Sequence, residues 1–361
     1  MLRQNKNLSE RIPRLRQKFP AYKIDGLLIS DMHNIFYLCG FTGSEGALLI
    51  GRSDATLFID GRYTEQAQGE TRGVSIQEFT DKIAAIVREI KKSRLKRVGL
   101  EADAITLDMY HQLIKNFPGN KFVAVSEELR MLRAGKDAYE VACLKKAARI
   151  GSSAIGAVIQ QLKPGWTEKE IALQLENIAR TSGADGLSFE AIIASGRNAS
   201  RPHAKPTDRK IRTGDFVVMD FGVRYKNYCS DETCTIAIGK LTDRQKNAYQ
   251  IVKEAHDRAL DAVAEGVPCA EIDQRARAVF GRKYEAYFVH GTGHGVGLEV
   301  HEAPRLSSTS GDLLKRGMVF TVEPGLYLPG QWGIRIEDTV FLKENSCEKL
   351  TKMDKELTII E

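Results

Sequence analysis

No apolar run in this chain approaches the roughly 18 residues that a membrane-spanning helix requires, which argues against an integral membrane protein. The N-terminal stretch 1–19 carries basic residues without the apolar segment of a secretory signal, so export is not expected. Six cysteines, at positions 39, 143, 229, 234, 269 and 347, form no C-x-x-C pair and no framework spacing. A disulfide scaffold is therefore not expected, and a reduced, cytoplasmic setting is the simplest reading. The phosphate-cradling pattern G-x-x-x-x-G-K-[ST] is missing as well. Neither sign of charge dominates, since 53 basic residues face 47 acidic ones. The basic stretch Lys91, Lys92, Arg94, Lys96 and Arg97 reads as a solvated helix face rather than a nucleic-acid site. Histidine is scarce, seven in 361 residues, so any clustering of it carries information.

What is present is a statement made twice. Gly165 stands five residues before Glu170-Ile171, and Gly266 five before Glu271-Ile272. His203 and His301 each open an H-x-x-P. Arg212-Thr213-Gly214 introduces an apolar run ending at Asp220, and Lys315-Arg316-Gly317 introduces another ending at Glu323. The offsets are 101, 98 and 103, far longer than a solenoid unit, so the pattern reads as one duplicated half-domain.

The length predicts two domains. Residues 1–132 read as an α/β domain, with strand-like runs at 26–30, 35–39, 46–50, 56–59, 98–101 and 122–125 and a helix over 81–92. A charged, glycine-containing stretch at 130–136 marks the boundary. Residues 133–361 then read as an α+β domain, with helices backing a mostly antiparallel sheet. Asp137 with Glu140, Thr167 with Glu170 and Thr242 with Gln245 resemble caps and their third-position partners at three helix starts, and a fourth helix is expected around 270–280.

The duplication delivers acids. Asp220 and Asp231 flank a hairpin whose turn is expected near Tyr225-Lys226, which would put the two carboxylates directly opposite each other, roughly 4.5–5.5 Å apart at Cβ. Glu323 and Glu337 repeat the arrangement around Pro329-Gly330. Single acids beside hairpins are usually just solvated, but four in equivalent places repel unless a cation lies among them. His290, His294 and His301 fall within twelve residues, interleaved with glycines that allow close backbone approach. Carboxylates plus an imidazole favour a hard or borderline divalent ion, Mn²⁺ first, with Co²⁺, Fe²⁺ or Zn²⁺ also suited. Five such ligands fit two ions roughly 3.5–4 Å apart, and the reaction class is metal-assisted hydrolysis.

Asp220 in M-D-F-G, Asp231 in Y-C-S-D, His294 in H-G-T-G-H-G, Glu323 in T-V-E-P-G and Glu337 in R-I-E-D resemble the five metal ligands of the pita-bread metallopeptidases. That group includes methionine aminopeptidase, aminopeptidase P and prolidase. R-P-H-A at His203 and E-V-H-E at His301 are similar to the two histidines that assist catalysis there. L-C-G-F-T-G-S-E-G and I-D-G-R-Y resemble the N-terminal domain of bacterial aminopeptidase P and prolidase. The resemblance implies a pita-bread catalytic domain with a pseudo-twofold, a two-metal site and attack by a metal-activated water on the carbonyl before a proline. It implies that Glu323 helps move the proton, that His301 and His203 stabilise the intermediate, and that His290 and Arg335 line the pocket. For Arg335, pairing with a ligand carboxylate is the bland reading. A homodimer is implied too. One departure is Cys234, in D-E-T-C-T, where many relatives carry arginine; the change could alter the charge behind the metals.

The expected activity is that of an Xaa-Pro aminopeptidase, with an Xaa-Pro dipeptidase as the alternative. A strict dipeptidase needs a basic group for the free carboxylate, and the loop 306–314 has none, although Arg305, Lys315 and Arg316 flank it. A metal-free creatinase-like hydrolase and a binding protein that has lost activity both fit poorly, because no member of the five-residue set is missing.

Overall fold

A computed structural model describes residues 7–119, 121–344 and 346–361. The chain divides into two compact units, Met1–Leu132 and Arg133–Glu361. Among the described residues, no helix is long and apolar enough to cross a membrane.

The first unit is built on six strands: β1 (Gly26–Ile29), β2 (Ala47–Ile50), β3 (Ala55–Asp60), β4 (Ser75–Phe79), β5 (Arg97–Glu101) and β6 (Lys121–Val125). They form one mixed sheet in the order β4-β3-β2-β1-β5-β6. β1 and β2 are apolar and buried throughout, as strands covered on both faces must be. Leu28, Leu49, Phe58, Val98 and Leu100 pack with Ile86 and Ile90 of the helix Lys82–Lys92. The strand expected over 35–39 is instead the helix Met32–Cys39. Its N-cap decides the matter. The Asp31 carboxylate accepts from the Asn34 N–H, while Glu101 accepts from the N–H groups of Ser30 and Asp31. A five-residue apolar run does not reveal its period, so cap chemistry outweighed it. β4, largely polar and partly exposed at the sheet edge, lacks the apolar signal of the other strands.

In the second unit the three expected helix starts carry reciprocal capping boxes, opening Ala138–Gln161, Glu168–Thr181 and Asp243–Asp261. The fourth helix is Cys269–Tyr284. The first half contributes β7 (Gly186–Leu187), β8 (Ile192–Ser195), β9 (Phe216–Phe221), β10 (Val223–Tyr225), β11 (Tyr228–Cys229) and β12 (Glu232–Ile238). The second contributes β13 (Gly293–Gly295), β14 (Glu302–Leu306), β15 (Val319–Val322), β16 (Gly325–Leu328), β17 (Trp332–Arg335), β18 (Asp338–Leu342) and β19 (Cys347–Lys349). β20 (Ile359–Ile360) returns to pair with β12, giving the sheet β20-β12-β9-β8. Its counterpart is the antiparallel sheet β14-β13-β15-β18-β19.

Strand alternation sorts the side chains of β9 and β12 onto two faces. Val217, Met219, Phe221, Cys234, Ile236 and Ile238 join Ile150, Ile155, Ile171 and Leu175 from the first two helices in one apolar core. That leaves Val218, Asp220, Thr233 and Thr235 on the opposite face. An acid at 220 is thus presented by a rigid, fully buried strand, the arrangement that a precise site needs.

Candidate metal centre

The two hairpins place their acids differently. β9 and β12 pair with Asp220 opposite Thr233, because the β10–β11 turn falls at Lys226-Asn227, both with positive φ. The direct opposition of Asp220 and Asp231 expected from a turn at Tyr225-Lys226 is therefore corrected. Asp231 sits two residues further along, which preserves the face but makes the contact diagonal. In the second half Val322 pairs with Asp338 and Gly325 with Arg335, a register that puts Glu323 opposite Glu337. Two central positive-φ residues suit a two-residue hairpin turn, and that shape was not apparent in the residue types.

The halves meet at these acids. Asp220, Asp231 and Glu337 are all less than a tenth exposed. One ligand atom each from Asp231, His294 and Glu337 lies within 4.8 Å of the others. His294 Nε2 is 3.2 Å from Glu323 Oε1 and 3.6 Å from Asp231 Oδ2. Its Nδ1 lies 3.2 Å from the Gly295 carbonyl oxygen, which can only accept, so Nε2 is the nitrogen left facing the acids. Thr321 Oγ1 accepts from the His294 N–H at 3.1 Å, seating the imidazole. Thr233 Oγ1 donates to Glu337 Oε2 at 2.6 Å, and Thr339 Oγ1 donates to the Asp231 carbonyl at 2.6 Å, so each half holds an acid-bearing segment of the other.

Arg335 is the brace, 3% exposed. It donates to Asp220 Oδ2, to Tyr327 Oη at 2.6 Å, to Thr233 Oγ1 at 3.2 Å and to the Pro202 carbonyl at 3.2 Å. His290 completes the chain. Its Nδ1 lies 2.7 Å from the Gly291 carbonyl, so Nε2, 2.9 Å from Tyr327 Oη, accepts that hydroxyl's proton. Both ring nitrogens of His290 are thus engaged, and burial holds its pKa below the ordinary value. Tyr327 carried no signal in the sequence: it is one aromatic in an apolar strand. His301 stacks edge-on against His294, ring centroids 4.2 Å apart, and burial followed by the His294 charge lowers its pKa. His203 is exposed, and it interacts electrostatically with both His290 and His301.

Two buried acids not singled out in the sequence hold the loops that carry these histidines. Glu168, wholly buried, accepts from the Ser195 N–H at 2.7 Å, from Asn198 Nδ2 at 3.1 Å and from the Thr207 N–H at 3.0 Å. Asp273, equally buried, accepts from the Thr292 N–H at 3.1 Å and its hydroxyl at 2.9 Å. Cys234, by contrast, faces the apolar core rather than the acids, and burial there raises its thiol pKa to about 12.

The donor set fits divalent metal. Asp220 Oδ1 and Glu337 Oε1 are buried and have no hydrogen-bond partner among the described residues, a costly condition unless a cation is intended there. Burial, and then Glu337, Asp220 and Glu323, push the Asp231 pKa well above the ordinary value. Burial, and then Glu323 and Asp220, do the same for Glu337. Glu323 goes the other way. Burial opposes its charge, but the His294 hydrogen bond and charge outweigh that and hold it at about 2. Metal bound at these acids would compete with protons for Asp231 and Glu337. Affinity is expected to weaken as pH falls. Calorimetric titration in buffers of different ionisation enthalpy should show proton release; a heat independent of buffer would contradict this.

With this geometry in view, similarity to known proteins is informative. Residues 142–344 match the model of metallopeptidase family M24, and residues 11–134 match the Creatinase/Prolidase N-terminal domain. An uncharacterized peptidase of Bacillus subtilis is 39% identical over 97% of this chain and 100% of its own length. The solved Xaa-Pro dipeptidase from Bacillus anthracis is 38% identical, covers 98% of this chain and 100% of its own, and superposes with a TM-score of 0.95. The X-Pro aminopeptidase from Thermotoga maritima is also 38% identical, over 97% of this chain and 100% of its own, with a TM-score of 0.87. Equal identity to an aminopeptidase and a dipeptidase leaves the choice between them to individual residues.

Proposed function

The chain belongs to metallopeptidase family M24, and from that premise we propose that it hydrolyses the bond before a proline in short peptides. The family implies divalent metal. We assign Asp220, Asp231, His294, Glu323 and Glu337 to hold two ions, with Mn²⁺ favoured by four carboxylates and one imidazole. The observation that carries this reading is four acids and one imidazole gathered from two halves of the domain, two of the acids with an orphaned buried oxygen. When bound, metal supplies an electrophile for the scissile carbonyl and makes a water acidic enough to attack near neutral pH.

The remaining work falls to side chains. Glu323, one of the carboxylates that would hold metal, would accept the proton of the attacking water and return it to the proline nitrogen. His301, held neutral by its surroundings, offers an N–H to the oxygen on which charge develops. His203 stands at the exposed side, suited to fix the peptide. Arg335 acts through Asp220, and His290 through Tyr327, so in this arrangement neither needs to touch substrate.

Of the two activities the geometry favours the Xaa-Pro dipeptidase, on Arg305. In the β13–β14 ladder Arg305 pairs with His294, so both side chains leave the same face of the sheet, and Arg305 is exposed. A guanidinium on the sheet face that carries His294 suits the free carboxylate of a dipeptide. The aminopeptidase reading retains the support of the loop 306–314, which has no basic residue. Metal-stripped protein reloaded with Mn²⁺ and given Ala-Pro beside Ala-Pro-Ala tests the choice. Faster dipeptide cleavage is expected. Replacing Arg305 by Ala should raise the dipeptide KM about 10–100-fold, the worth of a charge-assisted bond, while sparing the tripeptide. Faster tripeptide cleavage, unmoved by Arg305→Ala, would make the protein an aminopeptidase. A homodimer and a cytoplasmic location belong to the same proposal, and light scattering in solution checks the first.

A further inference from the structure

Behind the centre lies a second set of charged side chains that the chemistry above does not use. The segments 231–233 and 337–339 read Asp-Glu-Thr and Glu-Asp-Thr, an acid-acid-threonine triplet at an offset of 106. In each, the first acid belongs to the centre and the threonine cross-links the halves. The middle acid, Glu232 or Asp338, turns the other way, toward the helix backing its own sheet. Glu232, 2% exposed, accepts from the Ser152 hydroxyl on Ala138–Gln161. Asp338, 1% exposed, has its Oδ2 3.3 Å from His256 Nε2 on Asp243–Asp261.

Lys355 is shared by both. Lys355 Nζ, on a side chain 6% exposed, donates to Glu232 Oε1 at 2.7 Å and lies 3.5 Å from Asp338 Oδ1. The segment that carries it is tied down along its length. Thr351 Oγ1 donates to Asp338 Oδ1 at 2.7 Å, and the Lys352 N–H donates to Ser152 Oγ at 2.9 Å. The Met353 N–H donates to Glu232 Oε1 at 3.0 Å, and Tyr249 Oη donates to the Lys355 carbonyl at 3.1 Å. Lys349 Nζ also lies 2.8 Å from Asp338 Oδ2 but makes no ion pair with Glu232, so among the described residues Lys355 is the cation that ties the two like charges on their abutting strands to each other.

We propose that Lys355 is a positioning residue for the metal centre: by bridging Glu232 and Asp338 it sets the separation of Asp231 and Glu337, the residues immediately before them. Each of those acids is one peptide unit from an anchored neighbour, so a shift of the anchors is transmitted to the ligand oxygens. Ligand sets tolerate only about 0.5 Å of such error before affinity suffers. The inference rests on the assignment of Asp231 and Glu337 as ligands. The competing account is that the segment 349–355 merely fastens the C-terminal region for stability.

Metal affinity separates the two. Dissociation constants for Mn²⁺ and Co²⁺ would be measured by competition with a chelating dye, beside the visible spectrum of the Co²⁺-loaded protein and its thermal midpoint. The variants are Lys355→Met, Lys355→Arg and Val158→Ala, the last removing bulk from the apolar core. Lys355→Met is expected to weaken metal binding 10–100-fold and to alter the Co²⁺ bands, as loss of a bracing partner does. Lys355→Arg should restore most of the affinity. Val158→Ala should melt earlier yet bind and absorb like the parent. If Lys355→Met fails to fold, Lys355→Met combined with Glu232→Gln removes the stranded acid and should show the same weakening. Parent-like affinity and spectrum in a folded Lys355→Met or double variant would overturn the inference alone. A parent that binds neither ion would overturn the ligand assignment and this inference with it.

Discussion

Metal-stripped Asp231→Asn protein is expected to unfold at a higher temperature than its metal-stripped parent, and after reloading with Mn²⁺ to hydrolyse no Xaa-Pro bond at a useful rate. The two halves of that result have one cause. Asp231 is 5% exposed, and burial followed by Glu337, Asp220 and Glu323 disfavours its charge. A carboxylate whose folded pKa is raised contributes stability below its ordinary pKa and loses it as pH rises through the folded value. The gain from Asn should therefore widen as pH rises. An amide of the same shape removes the repulsion and can donate to a neighbouring acid. Relieving buried like charges is worth about 1–3 kcal/mol, or several degrees in a domain of this size. Activity moves the opposite way, because the amide cannot replace the anionic ligand, and a loss of about three orders of magnitude corresponds to about 4 kcal/mol of barrier. Calorimetry of the stripped proteins, with proline release from the reloaded ones, checks both. A variant that is less stable without metal, or that keeps activity, would show that Asp231 plays a structural role instead.

Arg335→Met should be the most damaging single change to the brace. It strands Asp220, whose Oδ1 already has no hydrogen-bond partner among the described residues, and it removes the donor to Tyr327 that orders His290. Breaking a buried ion pair from one side costs about 3–5 kcal/mol, and the charge left behind is what costs. In denaturant titration of the metal-free variant the midpoint should fall accordingly. Reloading with Mn²⁺ should recover part of the loss, since the ion supplies the missing positive charge. The rate should stay at least 10–100-fold down, because Asp220 is then held by metal alone. Arg335→Lys should not rescue it, since one ammonium cannot reach Asp220, Tyr327 and the Pro202 carbonyl together. A midpoint within 1 kcal/mol of the parent would contradict the bracing role.

Much of this was legible because the duplication and the capping chemistry are local. Thr167 with Glu170 and Thr242 with Gln245 state their helix starts in four residues, and the boxes form as read. The sheet of the first unit was readable where strands are buried on both faces, as at β1 and β2, and not where an edge strand is polar, as at β4. The run 35–39 misled because its helix depends on Asp31 and on Glu101, the latter seventy residues away. At the candidate centre the acids and histidines stood out through scarcity and repetition. Their partners did not. Tyr327, Thr321, Glu168 and Asp273 are ordinary residues that gain meaning only from what the fold brings to them. The hairpin register failed for a narrower reason: Lys226 and Asn227 both adopt positive φ, which residue type alone does not announce for lysine.

The most direct test of the whole account is proline release from Ala-Pro and Ala-Pro-Ala by exhaustively chelated protein, before and after addition of Mn²⁺, beside His294→Ala treated in parallel. The account predicts no release before metal, cleavage of at least one substrate after it, and no recovery in His294→Ala. Cleavage that is indifferent to chelation, or its absence from both substrates in metal-loaded protein, would contradict it.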